Sequence, residues 1–186
     1  GLVQLCKQRK VEFVSGKGIF KDSQTIEADG KAYSYDHCIL ATGSRPIQPF
    51  QNSSHLIDST GALDLESVPE KLLVVGGGYI GLEMGSVYAA LGSQVTIVEM
   101  MDGLLTGVDR DLVRPLQHRI KNQFEAVLFN TKVGEIKQVE SKTHVTLENE
   151  SGTEQHIFDR VLVSVGRSPN TDGLGLENTK VKLNEK

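Results

Sequence analysis

The stretch Gly76-Gly77-Gly78-Tyr79-Ile80-Gly81 restricts this chain of 186 residues more than any other part of it. A G-x-G-x-x-G spacing alone is a weak signal, because a tight glycine turn needs no ligand. Its setting narrows the choice. Residues 71–75 (KLLVV) form a short apolar run before it. Residues 80–91 carry apolar side chains at helical spacing after it, and Gly92 is placed to end that helix. Strand, glycine turn and helix inside about 30 residues make the opening of a nucleotide-binding βαβ unit. Each glycine then has a physical task. Gly76 turns the chain sharply out of the strand, Gly78 lets backbone approach a pyrophosphate, and Gly81 lets the helix pack close to the sheet. Gly85, one turn on, continues that close packing. The N–H groups of the first helical turn, together with the helix dipole, attract phosphate.

Glu99 completes the pattern. It follows a second apolar run, residues 94–98 (QVTIV), and lies 18 positions beyond Gly81. A carboxylate there accepts hydrogen bonds from both ribose hydroxyls of an adenosine and repels a 2′-phosphate. No Arg or Lys occurs between Glu99 and Arg110 to hold such a phosphate, so the pattern favours NAD over NADP. Glu83, one turn into the helix, has two readings that local sequence leaves even. It is an acid favoured by the helix dipole, or a contact for the nicotinamide end of the cofactor.

The surrounding pattern predicts a parallel sheet with helices on its faces. Residues 109–123 carry Leu112, Leu116 and Ile120 at i, i+4 and i+8, an amphipathic helix. Strands are predicted at 126–129, 133–139, 143–148 and 157–165, with 161–165 a buried strand ended by Gly166. The alternation in residues 144–147 suits an exposed antiparallel ribbon, and the tail from Arg167 reads as loop. In the first quarter, 11–14 alternates as a strand. Residues 25–28 and 31–34 flank Asp29-Gly30, a hairpin signal, and the wholly apolar 38–41 reads as a buried parallel strand. The polar connection between Pro46 and Pro69 is the candidate linker, with Ser59-Thr60 capping a short helix through Leu65. One echo occurs: residues 40–46 (LATGSRP) resemble 163–169 (VSVGRSP).

Composition excludes several classes. A net charge of −4 argues against a nucleic-acid partner, and no apolar run reaches the roughly 18 residues of a membrane span. Cys6 and Cys38 are too few and too far apart for a disulfide framework or a zinc site. Cys6, near Lys7, Arg9 and Lys10, reads as a surface thiol and Cys38 as an inert core thiol. The five histidines, His37, His55, His118, His144 and His156, are scattered and read as surface residues. No catalytic residue and no metal site is predicted.

Residues 76–85 followed by Val98-Glu99-Met100-Met101-Asp102 resemble the NAD-binding domain of the flavoprotein pyridine nucleotide–disulfide oxidoreductases, in particular the dihydrolipoamide dehydrogenase branch. The resemblance extends through Ala41-Thr42-Gly43-Ser44-Arg45-Pro46, Asn130-Thr131-Lys132-Val133 and Val165-Gly166-Arg167-Ser168-Pro169-Asn170. It implies an α/β fold: a Rossmann-like NAD-binding domain, with a parallel sheet plus an antiparallel ribbon or meander, beside a β-rich partial remnant of an FAD-binding domain. The implied boundaries are 1–46 for the end of the first half of the FAD domain, 47–166 for the NAD domain and 167–186 for the return toward FAD.

Implied NAD contacts are Gly76, Gly77, Gly78, Tyr79, Ile80, Gly81, Leu82, Glu83 and Glu99, with Val133 near adenine and Gly166 near the nicotinamide side. Gly18, Thr42, Gly43 and Ser44 are the implied FAD contacts. In such an enzyme dihydrolipoamide is oxidised through a disulfide and FAD to reduce NAD⁺, in a homodimer that serves 2-oxo acid dehydrogenase complexes, in bacterial cytoplasm or mitochondrial matrix. The family's first FAD glycine motif, its redox cysteine pair, its late Gly-Asp and its His–Glu base do not occur in this sequence. The expectation is therefore a central stretch of the enzyme, inactive by itself. NADH oxidase and mercuric reductase relatives, a stand-alone nucleotide-binding module, and a methyltransferase using S-adenosylmethionine remain as other readings.

Overall fold

The computed structural model describes residues 1–50, 54–64 and 66–184. They divide into two compact units, one within residues 1–45 and 168–184, the other within residues 46–167.

The first unit opens with helix α1 (Leu2–Gln8). A three-stranded antiparallel sheet follows, β1 (Ile19–Asp22), β2 (Thr25–Ala28) and β3 (Lys31–Ser34). The predicted hairpin is present. Ala28 pairs with Lys31, and Asp29 and Gly30 both have positive φ, +51° and +71°, the backbone a two-residue turn demands. Two predicted strands are absent. Among the described residues, 11–14 and 38–41 pair with no strand; Ile39 is 92% exposed. An apolar run is a strand only where neighbours take up its hydrogen bonds and cover its faces, and these residues have neither. The same segment leaves Cys38 exposed rather than in a core. Residues 2–8, without a predicted element, are helical.

Strand β4 (Ser44–Pro46) leads into the second unit, whose centre is a five-stranded parallel sheet. Its strands are β5 (Leu56–Ile57), β6 (Lys71–Val75), β7 (Gln94–Val98), β8 (Ala126–Leu128) and β12 (Arg160–Val163), in the order β5-β12-β6-β7-β8. Helix α2 (Tyr79–Ala90) joins β6 to β7 and α3 (Arg110–Lys121) joins β7 to β8. An antiparallel meander, β9 (Lys132–Val139), β10 (Lys142–Asn149) and β11 (Gly152–Phe158), precedes β12.

The two cores explain why β6 is apolar at nearly every position. Leu72 and Val74 pack with the helices around Leu82, Tyr88 and Ile120. Leu73 and Val75 pack on the other face with Val145, Leu147 and Phe158 of the meander. A strand buried on both faces loses the polar half of its alternation.

Four details differ from the sequence-based expectation. In α3 the buried stripe is Val113, Leu116 and Ile120, continued by Phe124; Leu112 is 67% exposed. The run 157–165 is two strands in two sheets. They separate at Asp159, whose N–H donates to the Lys71 carbonyl (2.9 Å) and whose carboxylate accepts from the Lys71 N–H (2.8 Å) and from Lys142 Nζ. The expected linker contributes β5 to the sheet edge and a 3-10 turn at Gly61–Leu63. Asp58 Oδ1, rather than Ser59 or Thr60, caps that turn by accepting from the N–H groups of Thr60 and Gly61, both at 2.9 Å. Leu65, the expected helix end, lies outside the described residues.

The tail is not all loop. Strand β13 (Arg167–Pro169) pairs with β4, so the two echoing sequence segments meet in one ribbon. Beyond it, Leu176 is buried and Asn178 Nδ2 donates to the Phe20 carbonyl (2.9 Å), which ties the tail to β1 within the first unit.

Candidate nucleotide site

In the second unit the chain leaves β6 toward β7 on one side and returns to β12 on the other. The crevice between the carboxyl ends of β6 and β12 is therefore a topological switch point, where open α/β sheets bind ligands. A cavity of about 750 Å³ opens there, within the size of ordinary small-molecule sites.

The glycine turn forms its floor. Gly76 has φ +108°, and a Cβ on it would lie 2.6 Å from the Ser164 carbonyl oxygen. A Cβ on Gly81 would lie 2.2 Å from the Gly76 carbonyl oxygen and 2.7 Å from Ser164 Oγ. Both glycines are demanded by the fold itself. Gly78 is different: it is the extended N-cap of α2, and a Cβ there would meet nothing within 4 Å. The protein does not fill that space, so the position is open to close approach by a ligand. Among the described residues no side chain caps the amino end of α2, and an uncapped helix amino end is able to receive an anion.

Glu99 sits across from the turn. Its Oε2 accepts the Gly77 N–H (2.7 Å) and its Oε1 accepts the Met101 N–H (2.9 Å). Each carboxylate oxygen keeps acceptor capacity beyond these bonds. The carboxylate is thus oriented in advance for a donor such as a ribose hydroxyl.

Gly76, Gly77, Gly78, Tyr79, Ile80, Glu99, Val133 and Gly166 line this cavity together. Gly81 and Leu82 are buried beneath the turn, and Glu83 is exposed on α2 outside the lining. Gly18, Thr42, Gly43 and Ser44 belong to the first unit. There Thr42 Oγ1 donates to the Asn170 carbonyl (2.7 Å) and Asn170 Nδ2 to the Thr42 carbonyl (3.0 Å).

Sequence reasoning gave no role to other parts of the wall, Phe50, Met100, Leu105, Thr106, Lys132 and Arg167 among them. Thr131 and Lys132 stand in the family-like stretch Asn130-Thr131-Lys132-Val133, where only Val133 was expected to touch the cofactor. Leu105 and Thr106 lie in an irregular loop whose composition carries no signal.

Away from this cavity, His55 is buried, 8% exposed, against the surface position expected of it. Its Nδ1 lies 3.1 Å from Thr143 Oγ1 and its Nε2 lies 3.3 Å from Gln138 Nε2. The amide, placed so, donates to Nε2, which leaves the ring proton on Nδ1. Burial first, and then the Arg160 guanidinium, lower its pKa from the ordinary value against the opposing pull of Asp159. It is a structural histidine between β5 and the meander. Among the described residues no group of His, Cys, Asp or Glu forms a metal site, and no helix is long and apolar enough to cross a membrane.

A parallel five-stranded sheet with a glycine turn at its switch point, backed by an antiparallel meander, defines a Rossmann-like α/β protein. The chain belongs to the pyridine nucleotide-disulphide oxidoreductase family, whose model matches residues 1–186. Its curated relatives include dihydrolipoyl dehydrogenases from Vibrio cholerae (42% identical, covering 100% of this chain and 41% of the relative) and Geobacillus stearothermophilus (40% identical, covering 98% and 40%). Among solved structures it is similar to the HOCl-induced flavoprotein disulfide reductase RclA from Escherichia coli, with a TM-score of 0.81 and 27% identity over 99% of this chain and 43% of that one. The chain spans about two-fifths of the length of the curated relatives it matches. It is thus a dihydrolipoyl dehydrogenase-like member of a family of flavoprotein oxidoreductases.

Proposed function

We propose that residues 47–166 form an NAD(H)-binding domain. The pyrophosphate lies on Gly76–Gly81, Glu99 takes the adenosine ribose, Val133 borders adenine and Gly166 borders the nicotinamide side. The observation that carries this reading is the open space where a Gly78 side chain would stand, beside a carboxylate already oriented by Gly77 and Met101. Bound NAD supplies a hydride acceptor; the chain's own residues bind and orient it. Glu83 is the remaining candidate for the nicotinamide end.

The reading extends to the longer enzyme that the relatives suggest. There, residues 1–46 and 167–186 would serve an FAD-binding domain, with Gly18, Thr42, Gly43 and Ser44 toward the flavin. The whole enzyme would oxidise dihydrolipoamide at the expense of NAD⁺ as a cytoplasmic or matrix homodimer attached to 2-oxo acid dehydrogenase complexes. The 186 residues alone would bind nucleotide without catalysing this reaction.

Fluorescence titration tests the site directly, and the absence of Trp keeps the NADH signal clean. NADH should bind at least about tenfold more tightly than NADPH, since roughly 1.4 kcal/mol of repulsion at Glu99 suffices for that ratio. Equal affinities would remove the ribose role of Glu99.

A further inference from the structure

The chain after Glu99 walls the cavity without being helix or strand. Leu105, Thr106 and Val108 face the proposed nucleotide site. Its backbone is unusual: Leu105 has φ +51° and Gly107 φ +91°. A leucine stays in the left-handed region only where its surroundings impose it. Leu104 anchors one end. It is fully buried, and its Cδ2 lies 2.7 Å from where a Gly77 Cβ would be. The Leu105 N–H donates to the Gly77 carbonyl at 3.0 Å, so the loop is tied directly to the glycine turn.

The second anchor is Arg110. It is the first residue of α3, where a cation opposes the helix dipole. Its guanidinium folds back over the preceding loop. Nη1 donates to the Leu104 carbonyl (2.9 Å). Nη2 donates to the carbonyls of Leu105 (2.7 Å) and Val108 (2.8 Å), and Nε also reaches Val108 (3.1 Å). Three loop carbonyls thus converge on one planar fork, an arrangement that a point-charged lysine cannot reproduce in full. Arg110 itself does not line the cavity.

We infer that Arg110 is a positioning residue for nucleotide binding, holding the 104–108 loop in the shape that closes the adenosine side of the cavity beside Glu99 and Gly77. This rests on the NAD(H) reading of that cavity. A merely structural Arg110 would move stability and leave binding alone; a positioning Arg110 moves binding of the adenosine half selectively.

The test uses the full chain with three probes: NADH, ADP-ribose and reduced nicotinamide mononucleotide. In Arg110→Ala, affinity for NADH and ADP-ribose should fall about five- to twentyfold, with the mononucleotide unchanged. Arg110→Lys should restore part of the loss. Hydrogen exchange of residues 103–108, measured without ligand, should quicken in Arg110→Ala while that of 71–75 stays constant. Unchanged NADH affinity in Arg110→Ala, or equal weakening of NADH and the mononucleotide, overturns the inference and leaves the site reading standing. If the unaltered chain binds neither NADH nor ADP-ribose, the site reading falls and the inference with it.

Discussion

Gly78 and Gly81 sit three residues apart in one motif, yet they answer to different constraints, and substitution separates them. A Cβ on Gly81 collides with backbone, so Gly81→Ala should destabilise the second unit by about 2–3 kcal/mol, read by urea unfolding. A Cβ on Gly78 enters open space at an extended backbone position. Gly78→Ala should therefore leave stability within about 0.5 kcal/mol and weaken NADH at least about tenfold. A Gly78→Ala variant that binds NADH normally would show that no phosphate approaches this position. His55 carries a second prediction at this scale. Its pKa is depressed in the folded chain, so the unfolded chain binds the proton more readily. Its contribution to stability is complete above about pH 6.5 and is lost as pH falls toward the folded value. Protonation would also set an Nε2–H against the Gln138 amide. His55→Gln should flatten the stability profile between about pH 7 and 5, as followed by urea midpoints.

Helix α3 shows what periodicity can and cannot resolve among elements. The spacing Leu112, Leu116, Ile120 predicted the helix, and the helix is there. The buried stripe is rotated by one residue, onto Val113. Leu112→Ala should accordingly cost no more than about 0.5 kcal/mol, and Val113→Ala about 2 kcal/mol, in the same unfolding assay. The strands on either side of the glycine turn were legible because they are short, apolar and bounded by glycine, and because each is covered on two faces. Residues 38–41 have the same composition and no covering layer, and they form no strand. The split at Asp159 was hidden for a related reason. Residues 157–165 read as one apolar-rich run, and only the backbone and side-chain bonds of Asp159 to Lys71 and Lys142 assign its halves to different sheets. Part of the cavity wall was legible in the motif; the loop at 104–108 was not, because its shape comes from contacts with Gly77 and Arg110 rather than from its own residues.

Across the whole molecule, protection should follow burial. The second unit holds both apolar clusters. Most apolar side chains of residues 1–45 are exposed, Leu2, Val3, Phe13 and Ile39 among them. Amide exchange should be slowest in residues 71–75 and 94–98 and faster throughout 1–45; equal protection in the two would contradict this ordering. The second unit has one further property, set by its two ends. The Ile47 N–H donates to the Gly166 carbonyl at 3.0 Å, so the chain leaves this unit beside the point where it entered. To the residues that flank it, some 120 amino acids amount to a detour that closes on itself, with the entropy cost of a tight turn rather than of a long open loop. Such a segment is portable. Its adjacent ends are the arrangement under which circular permutation and domain insertion are tolerated.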